Sequence, residues 1–297
     1  MSFRDFLGII RAPFLMLAVV CVLLGFSTAY HSGANLTIFN VILVFLGGIF
    51  AHIAVNSLNE YFDFKTGLDF LTIKTPFSGG SGTLVSKPHL SKYALLIGVF
   101  SIIIVISIGL FFVYLRGTTM LLIGLLGTLV IIIYPVVGVR NSFIALISPG
   151  LGFGTAMVLG THYALSGNIS ISAIIASFIP FFLVNNLLLL NQLPDVEADK
   201  ECGRSNVVIR FGRKKAVIIF SIFNLFAYIT IVFGMLSGYF NTLSIVGLLT
   251  AFLAFNSSIQ AMRFHSEIEK LIPALAMNVL TNLITPLLVA ISFMIKI

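Results

Sequence analysis

Six long stretches of the 297-residue chain contain no Asp, Glu, Lys or Arg, and they constrain its fold more than any other feature. They are 12–59, 93–115, 117–139, 141–194, 216–262 and 271–295. A helix needs roughly 20 apolar residues to cross a hydrocarbon core about 30 Å thick. Only 9% of all residues are charged, far below the roughly 25% of a soluble domain. The chain is therefore predicted to be a polytopic membrane protein in the lipid bilayer, and neither a water-soluble enzyme nor a nucleic-acid binder.

The lengths of these stretches predict how many helices each one holds. Three have room for a single span, whereas the other three hold roughly 50 residues and must fold back once. Each of the longer three contains a polar turn with a glycine, at 31–35, 166–168 and 237–241. The predicted fold class is therefore all-α, with nine transmembrane helices in one domain over 1–297.

The positions of the charges predict the orientation, because cytoplasmic loops carry an excess of Lys and Arg. With a cytoplasmic N-terminus, 15 of the 17 basic residues and all ten carboxylates fall on the inner side, and only Arg116 and Lys296 lie outside. We expect the C-terminus outside and the protein in the cell membrane. The two long loops, about 60–92 and 193–215, then mark the cytoplasmic face as the place where polar chemistry can occur.

Two predicted helices end in similar acidic sequences on that face. The second helix ends in polar residues at i, i+3, i+4 and i+7, and the sixth in polar residues at i, i+4 and i+8, so each set shares one helix face. The first set is Asn56, Asn59, Glu60 and Asp63, and the second is Asn191, Asp195 and Asp199. Because the second and sixth helices run in the same direction, both acidic ends reach the same side of the membrane.

The carboxylates of these two helix ends need a positive partner, because crowded carboxylates ionise together only around a cation. Hard oxygen ligands on facing helices suit Mg²⁺, which keeps several waters and shares its shell with substrate phosphates. The two ends can therefore hold a metal-bound diphosphate between them. The alternative interpretation is that these acids only end helices at the membrane interface and stay solvated.

The loop that follows the first acidic end contains a glycine-rich segment at 76–82. The segment lacks the Gly-Lys-Ser/Thr sequence of a P-loop. A mobile flap over the site, a backbone anion nest and a plain turn are all consistent with it.

The sequence resembles the UbiA superfamily of intramembrane aromatic prenyltransferases in two motifs. These are Asn59-Glu60-x-x-Asp63-Phe64-Lys65-x-Gly67-x-Asp69 and Asp195-x-Glu197-x-Asp199-x-x-x-Gly203. The first motif looks most like the branch that prenylates dihydroxynaphthoate on the way to menaquinone. Nine helices with both motifs on the cytoplasmic face are also typical of that family, so the resemblance covers essentially the whole chain. One departure is Glu60, where the family usually has Asp.

The resemblance implies transfer of a prenyl group from a polyprenyl diphosphate to an aromatic acceptor of the quinone-precursor type. Mg²⁺ would assist departure of the diphosphate, an apolar tunnel would hold the isoprenoid tail, and no protein partner is implied. The implied metal ligands are Asn59, Asp63, Asp195 and Asp199, and the implied catalytic residues are Asp63, Asp195, Asp199 and Tyr134. The expected substrate-binding residues are Asn56, Asn59, Lys65, Asp69, Asn191 and Arg210.

Two other functional classes stay open at this point. A membrane phosphotransferase acting on activated lipid head groups also uses clustered Asp and a metal, but its acids lie within one long motif. An ion-coupled transporter places its carboxylates near the membrane midplane, whereas these acids lie at helix ends. Both differences favour prenyl transfer.

Overall fold

The computed structural model describes residues 1–295, which are 84% helical and contain no β-strand. The predicted all-α class is thus confirmed. The α-helices are α1 (Phe3–Ile9), α2 (Met16–His31), α3 (Ile38–Thr66), α4 (Leu68–Leu71), α5 (Thr83–Ser86), α6 (Ser91–Arg116), α7 (Thr118–Ile133), α8 (Ser142–Gly150), α9 (Gly160–Ser166), α10 (Ile171–Glu201), α11 (Val207–Phe211), α12 (Arg213–Leu236), α13 (Ala251–Phe264) and α14 (Ile268–Met294). Shorter 3₁₀ segments are Ala12–Leu15, Pro88–Leu90, Gly138–Arg140 and Thr242–Thr250, and Leu151–Leu159 is π-helical.

Eight helical segments within the described residues are long and apolar enough to cross a membrane, which makes this a multi-pass membrane protein. They are Ala12–His31, Ile38–Thr66, Pro88–Arg116, Ser142–Ser166, Ile171–Glu201, Arg213–Leu236, Thr242–Phe264 and Ile268–Met294. The remaining predicted span is present as α7, which has only 16 residues. Its length of about 24 Å is less than the hydrocarbon thickness of about 30 Å, so the count of nine spans stays a prediction.

Glycine terminates a helix at each of the three predicted turns. Gly33, Gly167 and Gly238 have φ angles of 78°, 78° and 74° just after α2, α9 and α12 end. This left-handed conformation is strained for residues with a Cβ and closes helices at their C-termini. The predicted places of chain reversal are therefore confirmed.

The long helix α10 lies at the centre of the bundle, where it packs against α2, α8, α12 and α14. Many of its apolar residues are buried, and Ile179 and Leu183 are fully so. Buried asparagines add polar contacts: Asn186 donates to Oδ1 of Asn224 at 2.8 Å, and Asn278 donates to the Asn186 carbonyl at 3.2 Å. Such bonds join helices inside a membrane. They fix α10 to its neighbours and thereby fix the position of the acidic sequence at its C-terminal end.

The π-helical segment Leu151–Leu159 lies tightly against α10. Asn185 on α10 accepts a hydrogen bond at 2.6 Å from the N–H of Gly150, the residue after Pro149. A Cβ added at Gly154 would lie 2.4 Å from the backbone nitrogen of Phe181, so glycine permits this approach. Irregular segments of this type often occur at functional sites, and this one forms part of the cavity wall described below.

Candidate active site

A cavity of about 560 Å³ extends from the C-terminal ends of α3 and α10 into the bundle. One end is polar and is lined by the acidic helix ends. The remainder is lined by apolar residues from α3, α6, α7 and the π-helical segment. A volume of this size lies within the range of roughly 300–1,000 Å³ that is usual for small-molecule sites.

The two acidic helix ends meet at the polar end of this cavity. From α3 the lining residues are Asn56, Asn59 and Asp63, and from α10 they are Asn191, Asp195 and Asp199. Asp69, at the start of the next loop, lines the same end and is buried. The structure thus brings together seven of the residues that the sequence motifs singled out.

A single arginine joins the two acidic ends. The guanidinium of Arg204 forms an ion pair with Oδ1 of Asp63 on α3, and its Nη1 lies 3.5 Å from Oδ1 of Asp199 on α10. Burial disfavours the charged guanidinium, but Asp63 and Asp199 outweigh this effect and raise the pKa of Arg204 above its ordinary value. Arg204 is therefore a permanent positive charge between the two motifs, and the sequence motifs gave no indication of it.

Glu60 shares Arg11 with Asp63, whose Oδ2 lies 3.9 Å from Nη2 of Arg11, but it also has partners of its own. Its carboxylate is fully buried and accepts from Nε of Arg11 at 2.7 Å and from the backbone and hydroxyl of Ser81, both at 2.8 Å. Glu60 is absent from the cavity lining. Its oxygens are thus already used to join α3, the N-terminal segment and the glycine-rich loop, which gives a physical reason for Glu in place of Asp.

The glycine-rich segment is fastened to both acidic helices. Ser81 is held by Glu60 on α3, and the side-chain amide of Asn191 on α10 donates to the Phe77 carbonyl at 3.1 Å. Between these anchors, Gly79 and Gly80 have φ angles of 85° and 70° and line the cavity. The segment is therefore a strap across the polar end of the cavity, anchored on both sides.

Three of the seven motif residues at this end have a buried side-chain oxygen that lacks a hydrogen-bond partner among residues 1–295. These oxygens are Oδ2 of Asp69, Oδ1 of Asn191 and Oδ1 of Asp195. Buried polar atoms are nearly always paired, and unpaired carboxylate and amide oxygens are the ligands that Mg²⁺ prefers. The oxygen-rich donor set therefore fits a hydrated divalent cation.

The same side chains do not form a ready-made metal site. In the part of the chain that the structure describes, no three His, Cys, Asp or Glu side chains are grouped closely enough to coordinate one ion. The ion pairs of Arg204 with Asp63 and Asp199 place a guanidinium where their carboxylates would otherwise face each other.

The concentration of negative charge at this end affects the pKa of Asp69. Burial, reinforced by the negative charges of Asp63 and Glu60, raises the pKa of Asp69 to about 7. Near neutral pH this carboxyl group is therefore about half protonated, and additional positive charge would favour its ionised form.

Tyr134 follows α7 and lines the cavity, as its predicted role requires. Its low-polarity surroundings raise the pKa of Tyr134, although the positive charge of Arg204 acts in the opposite direction. The phenol therefore stays protonated at neutral pH and can donate a hydrogen bond to an anion.

Two predicted substrate contacts lie elsewhere. Lys65 is exposed and its ammonium lies 5.8 Å from the ring centroid of Tyr61. Arg210 donates to the Ser142 hydroxyl at 3.1 Å, and neither basic residue lines the cavity. The basic side chains that do line it are Arg11 and Arg204. Contacts of Lys65 and Arg210 with substrate stay predictions that this geometry does not support.

The apolar part of the cavity is deep. Along α3 the lining extends from Val44 to Asp63, a distance of about 28 Å at the helical rise. Phe112 and Met120, near the turn between α6 and α7, line its far end. The cavity as a whole is thus about as long as the hydrocarbon core is thick, with one polar end followed by an apolar region.

Together these features define a class of protein: a multi-pass helical membrane protein with an oxygen-rich anionic site at the mouth of a deep apolar cavity. Residues 18–280 match the UbiA prenyltransferase family, and the chain belongs to this family. Over 204 residues it is 30% identical to a 1,4-dihydroxy-2-naphthoate octaprenyltransferase of Bacillus subtilis (strain 168). That alignment covers 66% of this chain and 64% of the relative, slightly less than two thirds of its length.

Solved structures share the fold at low sequence identity. A UbiA homolog from Aeropyrum pernix K1 in its apo form is 16% identical with a TM-score of 0.71, covering 93% of this chain and 96% of that one. A digeranylgeranylglyceryl phosphate synthase is 17% identical with a TM-score of 0.69, covering 98% of both chains. A UbiA homolog from Archaeoglobus fulgidus bound to DMAPP and Mg²⁺ is 16% identical with a TM-score of 0.63, covering 98% and 99%.

Proposed function

We propose that the protein transfers a prenyl group from a polyprenyl diphosphate to an aromatic quinone precursor. The observation that carries this proposal is one cavity, about 28 Å long along α3, in which Asp63, Asp195 and Asp199 line the polar end and an apolar region follows. A diphosphate requires the polar end, and a long isoprenoid requires the apolar depth. The Archaeoglobus fulgidus homolog binds DMAPP or GPP with Mg²⁺, which supports the same donor class here.

The proposed residues for the metal are Asn59, Asp63, Asp195 and Asp199, because they line the cavity and carry oxygen donors of the kind Mg²⁺ prefers. Bound Mg²⁺ supplies charge that stabilises the departing diphosphate as the allylic C–O bond breaks. Asn56, Asp69 and Asn191 line the same end and are proposed to orient the substrate, either directly or through metal-bound water.

The remaining steps belong to the protein's own side chains. Tyr134 donates a hydrogen bond toward the leaving diphosphate, and Arg204 supplies a positive charge beside it. The apolar walls exclude water that would otherwise capture the allylic cation. An electron-rich ring carbon attacks this cation to form the new C–C bond, and loss of the proton on that carbon restores aromaticity while diphosphate departs.

Dihydroxynaphthoate is the acceptor that we propose to test first. The Bacillus subtilis relative is a 1,4-dihydroxy-2-naphthoate octaprenyltransferase, and the first acidic motif resembles that branch. We further propose that the protein resides in the cell membrane with the acidic ends facing the cytoplasm, since basic residues concentrate on that side.

The test uses purified protein in detergent with Mg²⁺, a labelled prenyl diphosphate and separate aromatic acceptors, including dihydroxynaphthoate and hydroxybenzoate. We expect a prenylated product that disappears with EDTA and falls at least about 100-fold in Asp63→Ala and Asp199→Ala. Glu197→Ala is the matched control, because this acid lies on the same helix but its side chain is 72% exposed. Full activity of Asp199→Ala would refute the metal assignment, and transfer to none of the acceptors would refute the function.

A further inference from the structure

Arg204 lies between the two acidic motifs. It pairs with Asp63 on one side and lies 3.5 Å from Asp199 on the other. Its side chain is 20% exposed, and it lines the same cavity as both carboxylates. The guanidinium therefore neutralises two of the acids that the proposed function assigns to the metal.

The backbone of Arg204 is held in place by the turn that follows α10. After α10 ends, Gly203 adopts φ 70°, and the Arg204 N–H returns to the Asp199 carbonyl at 2.9 Å. The next residue, Ser205, donates to the Val139 carbonyl at 2.9 Å. Asn206 donates to Oδ2 of Asp199 at 2.8 Å. This turn fixes the backbone of Arg204 beside the acidic end of α10.

A divalent cation and this guanidinium compete for the same oxygens. A cation bound by Asp63 and Asp199 would lie next to a fixed positive charge, and like charges at this distance repel. Arriving diphosphate, by contrast, offers the guanidinium a new anionic partner, for which the planar arginine fork is well suited. The energetic cost of metal binding is thereby lower when diphosphate is present.

We infer that Arg204 is an exchangeable counter-ion that couples the binding of metal to the binding of diphosphate. Without substrate it holds Asp63 and Asp199, and with substrate it turns to the diphosphate and releases both carboxylates to the metal. Arg204 is thus a substrate-contacting residue that also controls access of the metal to two carboxylates. The inference rests on the proposed function only in taking a metal-bound diphosphate as the ligand. The coupling keeps the acidic site from filling with metal alone.

The inference predicts effects of opposite sign in one variant. In Arg204→Gln, the competitor for the carboxylates is gone, so we expect Mn²⁺ alone, measured by the EPR signal of free Mn²⁺, to bind about tenfold more tightly. The same variant lacks the diphosphate contact, so inorganic pyrophosphate with Mg²⁺, measured by calorimetry, should bind about tenfold more weakly. A residue with only a structural role would weaken both.

Two further variants make the result decisive. Lys200→Gln removes one positive charge from the same helix end, but this lysine is 49% exposed and pairs with exposed Glu197, so neither affinity should change. Arg204→Lys retains the charge but not the bidentate geometry, and we expect both shifts with the same signs at smaller size. It also serves as the test if Arg204→Gln does not fold.

Tighter Mn²⁺ binding together with weaker pyrophosphate binding supports the exchange. Unchanged or weaker Mn²⁺ binding in the Arg204 variants overturns it, whatever the prenylation assay gives. If wild-type protein shows the exchange but prenylates none of the acceptors, the proposed function fails and the role of Arg204 stands.

Discussion

At the scale of single residues, neighbouring acids on one helix end have different environments. Glu60 is fully buried and is bonded to Arg11 and Ser81. Asp63, three residues later, lines the cavity. Arg11 itself is the one non-glycine residue of positive φ among residues 1–295, at 47°. A strained backbone conformation persists only where neighbouring contacts stabilise it. Glu60 is the main side-chain partner of Arg11.

Removing Glu60 should therefore affect stability more than metal binding. Glu60→Ala leaves the Arg11 guanidinium and the Ser81 groups without their acceptor, and breaking such a buried pair costs about 3–5 kcal/mol. We expect a clear drop in the thermal unfolding midpoint in detergent, with Glu197→Ala unchanged as the control. If Glu60→Ala kept its stability but lost metal binding, Glu60 would be a metal ligand and not a residue that holds Arg11 and Ser81 in place.

Asp69 predicts a pH dependence of the metal-free protein. Its folded pKa of about 7 lies above the ordinary value of 3.8, so the folded state holds a proton that the unfolded state has released. Stability from this group therefore falls as pH rises between about 4 and 7, with a limiting slope of about 1.4 kcal/mol per pH unit.

This slope can be measured by thermal unfolding in EDTA at a series of pH values from acidic to neutral. Asp69→Asn cannot release a proton, so the variant should lose this group's share of the decline and be the more stable protein at neutral pH. Equal slopes in the two proteins would show that Asp69 is ionised throughout.

The residues of the candidate site differ in how far the sequence could predict them. Asn59, Asp63, Asp195 and Asp199 follow helical spacing, which is a local property, so their shared faces were predictable. The pairing of Arg204 with Asp63 joins residues 141 positions apart, and local periodicity carries no information about it. Lys65 is a different case, because residues at i and i+2 do not face each other on a helix, so its position away from Asp63 followed from spacing alone.

At the scale of elements, the uncharged stretches and their glycine turns were sufficient to locate the helices. They did not predict the π-helical segment Leu151–Leu159, which packs closely against α10 at Gly154, because charge-free stretches carry no information about contacts with another helix. They also did not predict that α7 is short. The π-helical segment and the short α7 both line the cavity, so these departures from regular helix length and geometry occur at the candidate active site.

The antiparallel helices α6 and α7 suggest how the cavity accommodates a long tail. Gly109 and Gly124 lie about 12 and 10 Å along their helices from the turn at Gly117, so they are at similar depth. Both line the cavity, and a Cβ added at either position would meet no atom within 4 Å. A larger side chain there would enter the cavity without a steric clash with the protein.

We therefore expect Gly124→Leu to fold normally and to reject long donors. Relative to dimethylallyl diphosphate, activity with geranylgeranyl diphosphate should fall at least about tenfold, because filling the cavity leaves the longer chain no apolar surface to bury. Leu122→Phe adds bulk to the lipid-exposed face of the same helix and should change neither rate. An unchanged ratio in Gly124→Leu would place the tail elsewhere.

At the scale of the whole molecule, one of the two exceptions to the charge asymmetry has a local explanation. Arg116, the basic residue predicted to lie outside, donates to the carbonyls of Ala164 and Leu165, both at 2.8 Å. It thereby satisfies carbonyl groups at the C-terminus of α9. The other exception, Lys296, lies beyond the residues that the structure describes. The asymmetry of the remaining charges still predicts a cytoplasmic active site.

The two native cysteines allow this orientation to be tested. Cys21 is buried and Cys202 is partly exposed next to the acidic end of α10, so a membrane-impermeant maleimide should label Cys202 alone. With the acidic ends in the cytoplasm, labelling requires broken cells or inside-out vesicles. Asn35→Cys in a Cys202→Ser background places a thiol in the exposed turn between α2 and α3 and should be labelled on intact cells. The reverse pattern would put the active site outside, where a donor made in the cytoplasm could not reach it without crossing the bilayer.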